Sequence, residues 1–420
     1  MSKLVSRINS YEDGFWDFKQ YSGQGIQKLC KYPAVMVSPM QFQLLSDIAD
    51  TEKEIKNVLD PFHGSATVLY EGKKIGFDTY GIDINPLANL IAHVKLDALD
   101  KELLKEVIKE IEYKLEKANF RYDVHDFNNI DKWFREDIKE SLSKVRKLII
   151  QTKDLNIRRY LWVCFSDIIR RFSNTRSSTF KLHVKKQEVI NNMKNEVEKQ
   201  FIKKIKKSYQ EILNFDNNKT NLFLGNSINI LKEKFHDKSI DLICTSPPYG
   251  DNQTTVTYGQ FSMLPLYWID TTDCDEFPEE LISTFSSIDS QSLGGKRKPE
   301  LNFDCTPLTN ALKRISDDKQ KKVISFNNDY YQVFMELSRV LKENGLLVLT
   351  VGNRTVDRVE IPFDEINIDL AVKFGMRLEA VIERTIHNKS MPNKVSSVKK
   401  LGSVKSMTQE KTLIFRKEPK

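Results

Sequence analysis

Two short segments of the 420-residue chain combine residue types that could bind a ligand and act on it. The first is DPFHGSAT, residues 60–67, which follows the apolar stretch NVLD and precedes a helical pattern. Glycine and small residues allow a tight turn there, and the free N–H groups of the helix N-terminus face whatever the turn holds. Asp83 ends the next strand pattern, where a carboxylate can accept hydrogen bonds from a ribose diol. The residues that we assign to ligand binding are Asp60, Pro61, Phe62, Gly64, Ser65, Thr67 and Asp83.

The second segment is DLICTSPPYGD, residues 241–251, where another apolar strand pattern ends. Two consecutive prolines lack N–H groups and stiffen the turn, so the carbonyls of Ser246 and Pro247 can point outward as acceptors. Tyr249 adds a flat ring beside them. An acceptor pair next to an aromatic ring suits a planar group with an exocyclic amine, because the amine donates and the ring stacks. The candidate catalytic residues are therefore Ser246, Pro247, Pro248 and Tyr249.

Both segments need a parallel sheet to bring them to one edge, and the surrounding patterns provide one. Residues 53–98 predict a strand, a helix and a second strand, whereas residues 101–215 repeat apolar positions three and four apart, as helices do. Further strand patterns lie at 221–224, 240–245, 345–351 and 410–416. The chain length suggests two or three units at ~150 residues each. We predict an α/β fold with one catalytic domain, residues 1–99 and 221–420, interrupted by a mainly helical insertion at 100–220, and an irregular functional excursion at 271–325.

Charge is unevenly distributed along the chain. The net charge is +7, but residues 151–220 hold 16 Lys and Arg against 7 Asp and Glu, and residues 381–420 hold 10 against 3. Basic zones on an otherwise balanced chain favour a polyanionic partner. Within the insertion, four basic residues lie among Ser and Asn side chains, a mixture suited to phosphate and base-edge contacts. The candidate residues for binding such a partner are Arg170, Arg171, Arg176 and Lys181.

Composition excludes several other classes of protein. Hydrophobic residues make up 40% of the chain, too many for a disordered protein. The sequence has neither a run of 18 apolar residues nor an apolar N-terminal signal core, so we expect a soluble, cytoplasmic protein with no membrane partner. The five cysteines are scattered without metal-ligand spacing, so we expect no metal site.

Together the two segments resemble the amino-type DNA methyltransferases that use S-adenosylmethionine. DPFHGSAT is similar to that family's DPFxGSGT cofactor loop, with Ala66 in place of the usual glycine, and TSPPY is similar to its catalytic (D/N/S)PP(Y/F) motif. Further similarity covers most of the chain outside the helical insertion, including residues 31–41, 258–262 and 292–295. The resemblance implies a Rossmann-like methyltransferase domain, S-adenosylmethionine as cofactor, double-stranded DNA as substrate and a role in restriction-modification with a cognate restriction endonuclease. It also implies that Asn226 stands where an acid often contacts the cofactor adenine.

The resemblance leaves the methylated atom open. Serine at the first motif position, Ser246, points to cytosine N4, whereas Asp or Asn is commoner in adenine-N6 enzymes. Cytosine-C5 chemistry needs a Pro-Cys nucleophile, which the sequence lacks. Methylation of a protein glutamine is a third reading, disfavoured by the basic insertion, and a non-catalytic DNA-binding module is a fourth, disfavoured by two intact loops. In the favoured reading the target base is flipped out of the duplex before transfer.

Overall fold

A central mixed sheet organises the chain. The computed structural model describes residues 2–117, 120–215, 219–251, 255–296, 300–386, 394–398, 402–405 and 409–419. The strands are β1 Asn57–Asp60, β2 Asp78–Asp83, β3 Thr220–Leu224, β4 Ile240–Thr245, β5 Leu341–Val351, β6 Arg354–Val356, β7 Val359–Ile361, β8 Met376–Thr385, β9 Lys394–Val398, β10 Gly402–Lys405 and β11 Gln409–Lys417. The α-helices are α1 Lys3–Ile8, α2 Ser38–Thr51, α3 Thr67–Ile75, α4 Pro86–Leu96, α5 Lys101–Glu116, α6 Ile130–Trp133, α7 Glu136–Gln151, α8 Leu155–Phe172, α9 Gln187–Asn191, α10 Val197–Ser208, α11 Ser227–Lys234, α12 Tyr258–Trp268, α13 Ser287–Gln291, α14 Thr306–Leu312, α15 Asp317–Val340 and α16 Phe363–Lys373. Short 3₁₀ helices lie at Phe15–Asp17, Gly25–Lys28, Tyr209–Glu211, Thr271–Asp273 and Glu279–Ile282.

Seven strands form the main sheet in the order β3-β2-β1-β4-β5-β11-β8. The first five run parallel, and β11 is antiparallel to both β5 and β8. The central strands carry nearly continuous apolar runs because helices cover both faces of the sheet. Val58, Leu242 and Leu346 point into the core under α1 to α3, and Leu59 and Ile243 point into the core under α11 and α14 to α16. The predicted α/β class is confirmed, and the architecture is Rossmann-like.

Strand order reverses between β1 and β4, and this switch point sets the place of the site. β1 continues through α3 to β2 on one side, whereas its other neighbour is β4. The register pairs Leu59 with Ile243, so Asp60 and Thr245 reach the same edge of the sheet. Ligands of open α/β sheets bind in the crevice outside the carboxyl ends of the strands at such a switch point.

Between α4 and β3 the described chain is mainly helical, as the apolar spacing predicts, with non-helical stretches at 120–129 and 173–186. Helices α5, α7, α8 and α10 bury a large aromatic and aliphatic core that includes Trp162 and Phe165. The same core contains Leu90 of α4 and Trp268 of α12, so these helices pack directly against elements that flank the sheet. The exact division into a catalytic domain and an insertion stays a prediction.

One sequence expectation needs correction. The stretch 271–325 is only partly irregular among its described residues: short helices interrupt it, and from Asp317 onward it belongs to the 24-residue helix α15. Apolar residues spaced three and four apart from Val323 onward explain that helix. Strand β8 and the β6-β7 hairpin were not predicted, because charged residues interrupt their short apolar patterns.

Parts of the basic stretch 381–420, namely residues 387–393, 399–401, 406–408 and 420, lie outside the described residues. No helix in the described ranges has the length and apolarity that crossing a membrane requires.

Candidate active site

The loop after β1 is joined to the loop after β4 through one carboxyl group. Asp60 Oδ1 accepts hydrogen bonds from the Thr245 hydroxyl at 2.6 Å and from the Phe62 N–H at 3.1 Å. Asp60 is buried, and burial raises the pKa of its carboxyl group to about 7. The Ser227 hydroxyl donates to the Pro61 carbonyl at 2.7 Å and ties the start of α11 to the same loop. The two sequence motifs are therefore held together by direct hydrogen bonds at one edge of the sheet.

The turn itself depends on left-handed backbone and on Asp83. Gly64 has φ of 51° and Ala66 has φ of 60°, so alanine occupies a conformation that glycine adopts at less cost. Asp83 Oδ2 accepts from the Gly64 N–H at 2.9 Å, and Asp83 Oδ1 accepts from the Asn85 N–H at 2.8 Å. Asp83 thus shapes the turn after β1 from the end of β2, the strand-end position that the sequence predicts.

Close approach of β2 to this turn requires a residue without a side chain. A Cβ atom at Gly81 would lie 2.4 Å from Leu69 Cδ1 and 2.9 Å from His63 Cδ2. His63 is buried, with Nε2 3.2 Å from Asn89 Oδ1, and burial lowers the pKa of its imidazole. His63 therefore packs the underside of the loop as a neutral side chain.

A buried lysine, which sequence reasoning missed, supports the same loop. Lys95 Nζ donates to the Ser65 carbonyl at 2.6 Å and to Gln27 Oε1 at 2.8 Å. Burial lowers the pKa of Lys95 to about 7. Lys95 lies in the last turn of the apolar helix α4, and its charge there indicates an internal polar contact, but the sequence does not identify the partner.

Side chains from two distant segments complete the wall next to Asp83. Asn85 Nδ2 donates to Ser262 Oγ at 2.8 Å and to the Tyr32 hydroxyl at 3.1 Å. The rings of Tyr32 and Tyr258 stack with centroids 5.9 Å apart. Tyr32 and the start of α12 belong to the segments 31–41 and 258–262. Both segments resemble the family, but the sequence analysis assigned no site residue to either of them.

The Ser-Pro-Pro-Tyr turn follows β4 directly. Ser246 Oγ lies 3.1 Å from the Tyr249 hydroxyl, which donates to Glu410 Oε1 at 3.3 Å. Glu410 in turn forms an ion pair with Arg384, with Nη2 and Oε2 2.6 Å apart. Burial, followed by the nearby Glu410 charge, raises the pKa of the Tyr249 hydroxyl well above its ordinary value.

The loop continues into a second ion pair. Asp251 is buried, and its Oδ2 lies 3.3 Å from Nη1 of Arg354 on β6. This pair anchors the end of the turn to the β6-β7 hairpin.

The residues around Asp83 fit the nucleoside portion of S-adenosylmethionine. The Asp83 carboxylate has about four acceptor positions, of which two are used by the Gly64 and Asn85 N–H groups. Thr67 Oγ1, at the start of α3, is buried without a hydrogen-bond partner among the described residues. Asn226 caps α11 by accepting from the Ile228 N–H at 2.9 Å, which leaves its amide NH₂ to donate.

One DNA-binding candidate, Arg170, contacts α12. The Arg170 side chain donates to the Phe261 carbonyl at 2.8 Å, and its guanidinium stacks 3.9 Å from the Phe261 ring centroid. Burial lowers the pKa of Arg170 to about 10. Arg170 therefore packs α8 against α12, and its contact with DNA stays a prediction.

The other three candidates lie on the surface. Arg171, Arg176 and Lys181 are exposed. Arg176 and Lys181 belong to residues 173–186, which we call the basic loop; it is closed by a bridge between Thr175 and Val184. Phe180 packs against Phe261 with ring centroids 6.1 Å apart, so the loop is attached to α12.

The seven-stranded sheet is Rossmann-like, and its switch point carries the two motif-bearing turns at one edge. Comparison with known proteins shows the family. The type II methyltransferase M.MvaI of Kocuria varians is 30% identical over 443 aligned residues, which cover 99% of this chain and 96% of that protein. The type II methyltransferase M.MjaII of Methanocaldococcus jannaschii is 41% identical over 54 residues, 13% of this chain and 10% of that protein. No protein-family model matches the chain. The full-length similarity shows that the chain belongs to the type II methyltransferases, and it is a DNA methyltransferase.

Proposed function

We propose that the protein transfers a methyl group from S-adenosylmethionine to the exocyclic N4 of cytosine at a specific site in double-stranded DNA. One observation carries this proposal. Thr245, which directly precedes the Ser246 to Tyr249 turn, donates a hydrogen bond of 2.6 Å to Asp60, the first residue of the loop 60–67, and so holds the turn against that loop. An amine acceptor and a nucleoside-binding turn thereby share one crevice. The partner that we infer from the family is a restriction endonuclease of the same specificity.

The cofactor would be held by the residues of the first loop and its neighbours. When bound, S-adenosylmethionine supplies an electrophilic methyl group on a sulfonium. Asp83 offers its remaining acceptor positions to ribose hydroxyls, and the Asn226 amide can donate to the adenine edge. The backbone of residues 60–67, supported by Lys95 from behind, forms the floor of the crevice.

The catalytic turn would act on the amine of a flipped base. The lone pair of an aromatic amine is delocalised into the ring, so the nitrogen is a weak nucleophile. Ser246 and the Pro247 carbonyl would accept its two N–H groups and favour a more tetrahedral nitrogen. Tyr249 would stack on the base, a contact worth ~1–3 kcal/mol. The nitrogen would then form a bond to the methyl carbon as the carbon–sulfur bond of the sulfonium breaks to leave a thioether, and the surplus N–H proton would pass to water. Positioning and electrostatics would promote this direct displacement.

Neighbouring reactive groups have structural roles. Cys244 is buried on β4 with its Sγ 3.6 Å from Gln41 Oε1, and burial raises the pKa of its thiol. A buried neutral thiol is a poor nucleophile, so covalent attack on the base from Cys244 is disfavoured. Asp251 is engaged by Arg354, which favours a role as an anchor of the turn.

Serine at position 246 is what favours cytosine over adenine, and a direct product analysis tests it. Unmethylated genomic DNA is incubated with the protein and methyl-labelled S-adenosylmethionine, then digested to nucleosides for mass analysis. We expect labelled N4-methyldeoxycytidine, and much less of it from an Asp83→Ala control at a limiting concentration of S-adenosylmethionine. Labelled N6-methyldeoxyadenosine would replace the cytosine assignment by the adenine one. No labelled nucleoside at all would refute the proposed reaction on DNA.

A further inference from the structure

A carboxylate on β11, two strands away from β4 in the main sheet, contacts the catalytic turn. Glu410 Oε1 lies 3.3 Å from the Tyr249 hydroxyl, and that hydroxyl lies 3.1 Å from Ser246 Oγ. Arg384 Nη2 holds the other oxygen of Glu410 at 2.6 Å. These four side chains form a single line of hydrogen bonds that ends at the serine of the motif.

The fold places this line by strand register. Glu410 and Arg384 are directly paired residues of the antiparallel strands β11 and β8. β11 also pairs with β5, which pairs with β4, so the start of β11 lies at the edge where β4 ends. Both side chains are largely buried, with 12% of Arg384 and 20% of Glu410 exposed. The next residue, Lys411, is bound instead to Asp364 at 2.7 Å. Glu410 is thus directed toward Tyr249.

The chemistry of the groups sets the direction of each hydrogen bond. A carboxylate can only accept, so the Tyr249 O–H donates to Glu410. A phenol has one proton, so the Tyr249 oxygen can only accept from Ser246. The Ser246 proton is therefore turned toward Tyr249. Ser246 Oγ then presents only lone pairs to the crevice.

We propose that Glu410 is a positioning residue that acts through Tyr249 to make Ser246 an obligatory hydrogen-bond acceptor. This inference rests on the proposed function, since an amine substrate brings N–H donors and needs an acceptor. A serine hydroxyl on its own rotates freely and can donate as well as accept. If the proton of the Ser246 hydroxyl is held toward Tyr249 before the base binds, the hydroxyl cannot point that proton at the amine of the base.

The test is a double-mutant cycle in the full-length protein. Glu410→Gln keeps the size of the side chain but can donate to Tyr249, so it no longer enforces the direction. Tyr249→Phe keeps the ring and removes the link. We expect each single variant to lower kcat about tenfold, as for loss of one strong hydrogen bond. We expect KM for DNA and for S-adenosylmethionine to stay within about twofold, because neither variant removes a binding contact.

The double variant carries the decisive outcome. If Glu410 acts through Tyr249, the double variant loses about tenfold in kcat, like either single variant, rather than about a hundredfold. Glu383→Gln is the matched control, because Glu383 is adjacent to Arg384 but is 65% exposed and lies 3.9 Å from Lys411; it should retain the wild-type kcat. Glu410→Asp, which keeps the charge but withdraws it from Tyr249, should behave like Glu410→Gln and guards against a folding defect in one variant.

Two results would overturn the proposal. Losses in kcat that multiply in the double variant would show that Glu410 acts independently of Tyr249. Wild-type kcat in both Glu410→Gln and Glu410→Asp would show that the contact has no part in the reaction. Either result leaves the proposed function standing, because the methylated nucleoside decides that question separately.

Discussion

Asp60 links the two loops of the site through its hydrogen bonds from Thr245 and Phe62. We expect its protonation to affect the free energy of unfolding. The ordinary pKa of an aspartate is 3.8, and burial raises that of Asp60 to about 7. Between these values the folded protein holds a proton that the unfolded chain has lost. The contribution of Asp60 to the free energy of unfolding therefore falls as pH rises from about 4 to about 7 and is level above that.

Asp60→Asn removes this dependence while keeping an oxygen to accept from Thr245 and Phe62. We expect the variant to match the wild type near pH 4 and to be more stable above pH 7, by on the order of 2–4 kcal/mol. Urea unfolding of both proteins at a series of pH values measures the difference. Parallel stability curves across the range would show that Asp60 does not titrate there.

Asp83 is proposed to bind the ribose, and it also accepts hydrogen bonds from the Gly64 and Asn85 N–H groups. Replacing it should therefore affect both ligand binding and the shape of the turn. Asp83→Ala should weaken S-adenosylmethionine binding by roughly 1.5–3 kcal/mol, the range for loss of a charged hydrogen-bond partner. The structure adds that alanine also releases the Gly64 and Asn85 N–H groups, whereas Asp83→Asn can still serve one of them. We expect calorimetry to rank the affinities as wild type, Asp83→Asn, then Asp83→Ala.

Asp78→Ala is the control for this ranking. Asp78 lies at the opposite end of β2 and accepts from the Lys219 N–H at 2.9 Å, away from the crevice. Its affinity for S-adenosylmethionine should equal that of the wild type. Equal affinity in the Asp83 variants as well would remove Asp83 from the binding site.

Local sequence identified the strand-end residues but not their distant partners. Asp60, Asp83 and Ser246 could be predicted because each ends an apolar strand pattern, and such ends meet at one edge. Glu410 could not, because its contact with Tyr249 depends on strand register across 161 positions. The packing of Arg170 on Phe261 could not be predicted either, because a sequence shows the charge of a guanidinium but not the ring on which it packs.

At the scale of elements, the basic loop is the part of the helical region that remains a candidate for DNA contact. Arg176 and Lys181 are exposed there, and Phe180 fixes the loop to α12. Arg176→Ala combined with Lys181→Ala should reduce the slope of log affinity against log salt by about 1.8, since each phosphate contact on duplex DNA contributes ~0.9. Fluorescence anisotropy with duplex DNA at several salt concentrations measures this slope.

Two lysines on α10 provide a control that distinguishes the loss of specific phosphate contacts from the loss of two positive charges anywhere on the protein. Lys203 and Lys207 are also exposed, and replacing both by alanine removes the same charge. That control should leave the slope nearly unchanged. Equal slopes for all three proteins would direct the search for recognition to residues 271–316. Binding of S-adenosylmethionine should be unaffected throughout.

The central strands of the sheet could be predicted from their apolar patterns, whereas strand β8 at the edge of the sheet could not. Strands β1 and β4 contain the short apolar runs Val58-Leu59 and Leu242-Ile243-Cys244 because both faces of the sheet are covered there. Strand β8 lies at the edge of the sheet, where Leu378 and Val381 are exposed and charged residues alternate with them. An edge strand of this kind lacks the apolar pattern on which sequence prediction depends.

At the scale of the whole molecule, the helical region and the catalytic sheet share one core. Trp162 of α8 and Trp268 of α12 belong to the same buried cluster as Leu90 of α4. Asp273, which follows α12, accepts from Arg158 at 2.7 Å and from the Trp162 Nε1–H at 2.7 Å. A polar contact inside this shared core therefore joins the segment after α12 to the helical region.

This continuity predicts a single cooperative unfolding transition for the full chain, although residues 100–220 look like a separate unit in the sequence. Asp273→Ala leaves the buried Trp162 N–H without a partner and removes the carboxylate from the half-buried Arg158, which still donates to the Thr152 and Lys153 carbonyls. The loss of such a buried hydrogen-bond partner costs about 1–3 kcal/mol. Because the core is shared, we expect the whole transition to shift to lower denaturant while remaining single. Tryptophan fluorescence, which reports on Trp16, Trp133, Trp162 and Trp268, and circular dichroism should then give coincident curves. If the variant instead unfolds in two separated steps, the helical region is an autonomous domain, and its contacts with α4 and α12 contribute little to stability.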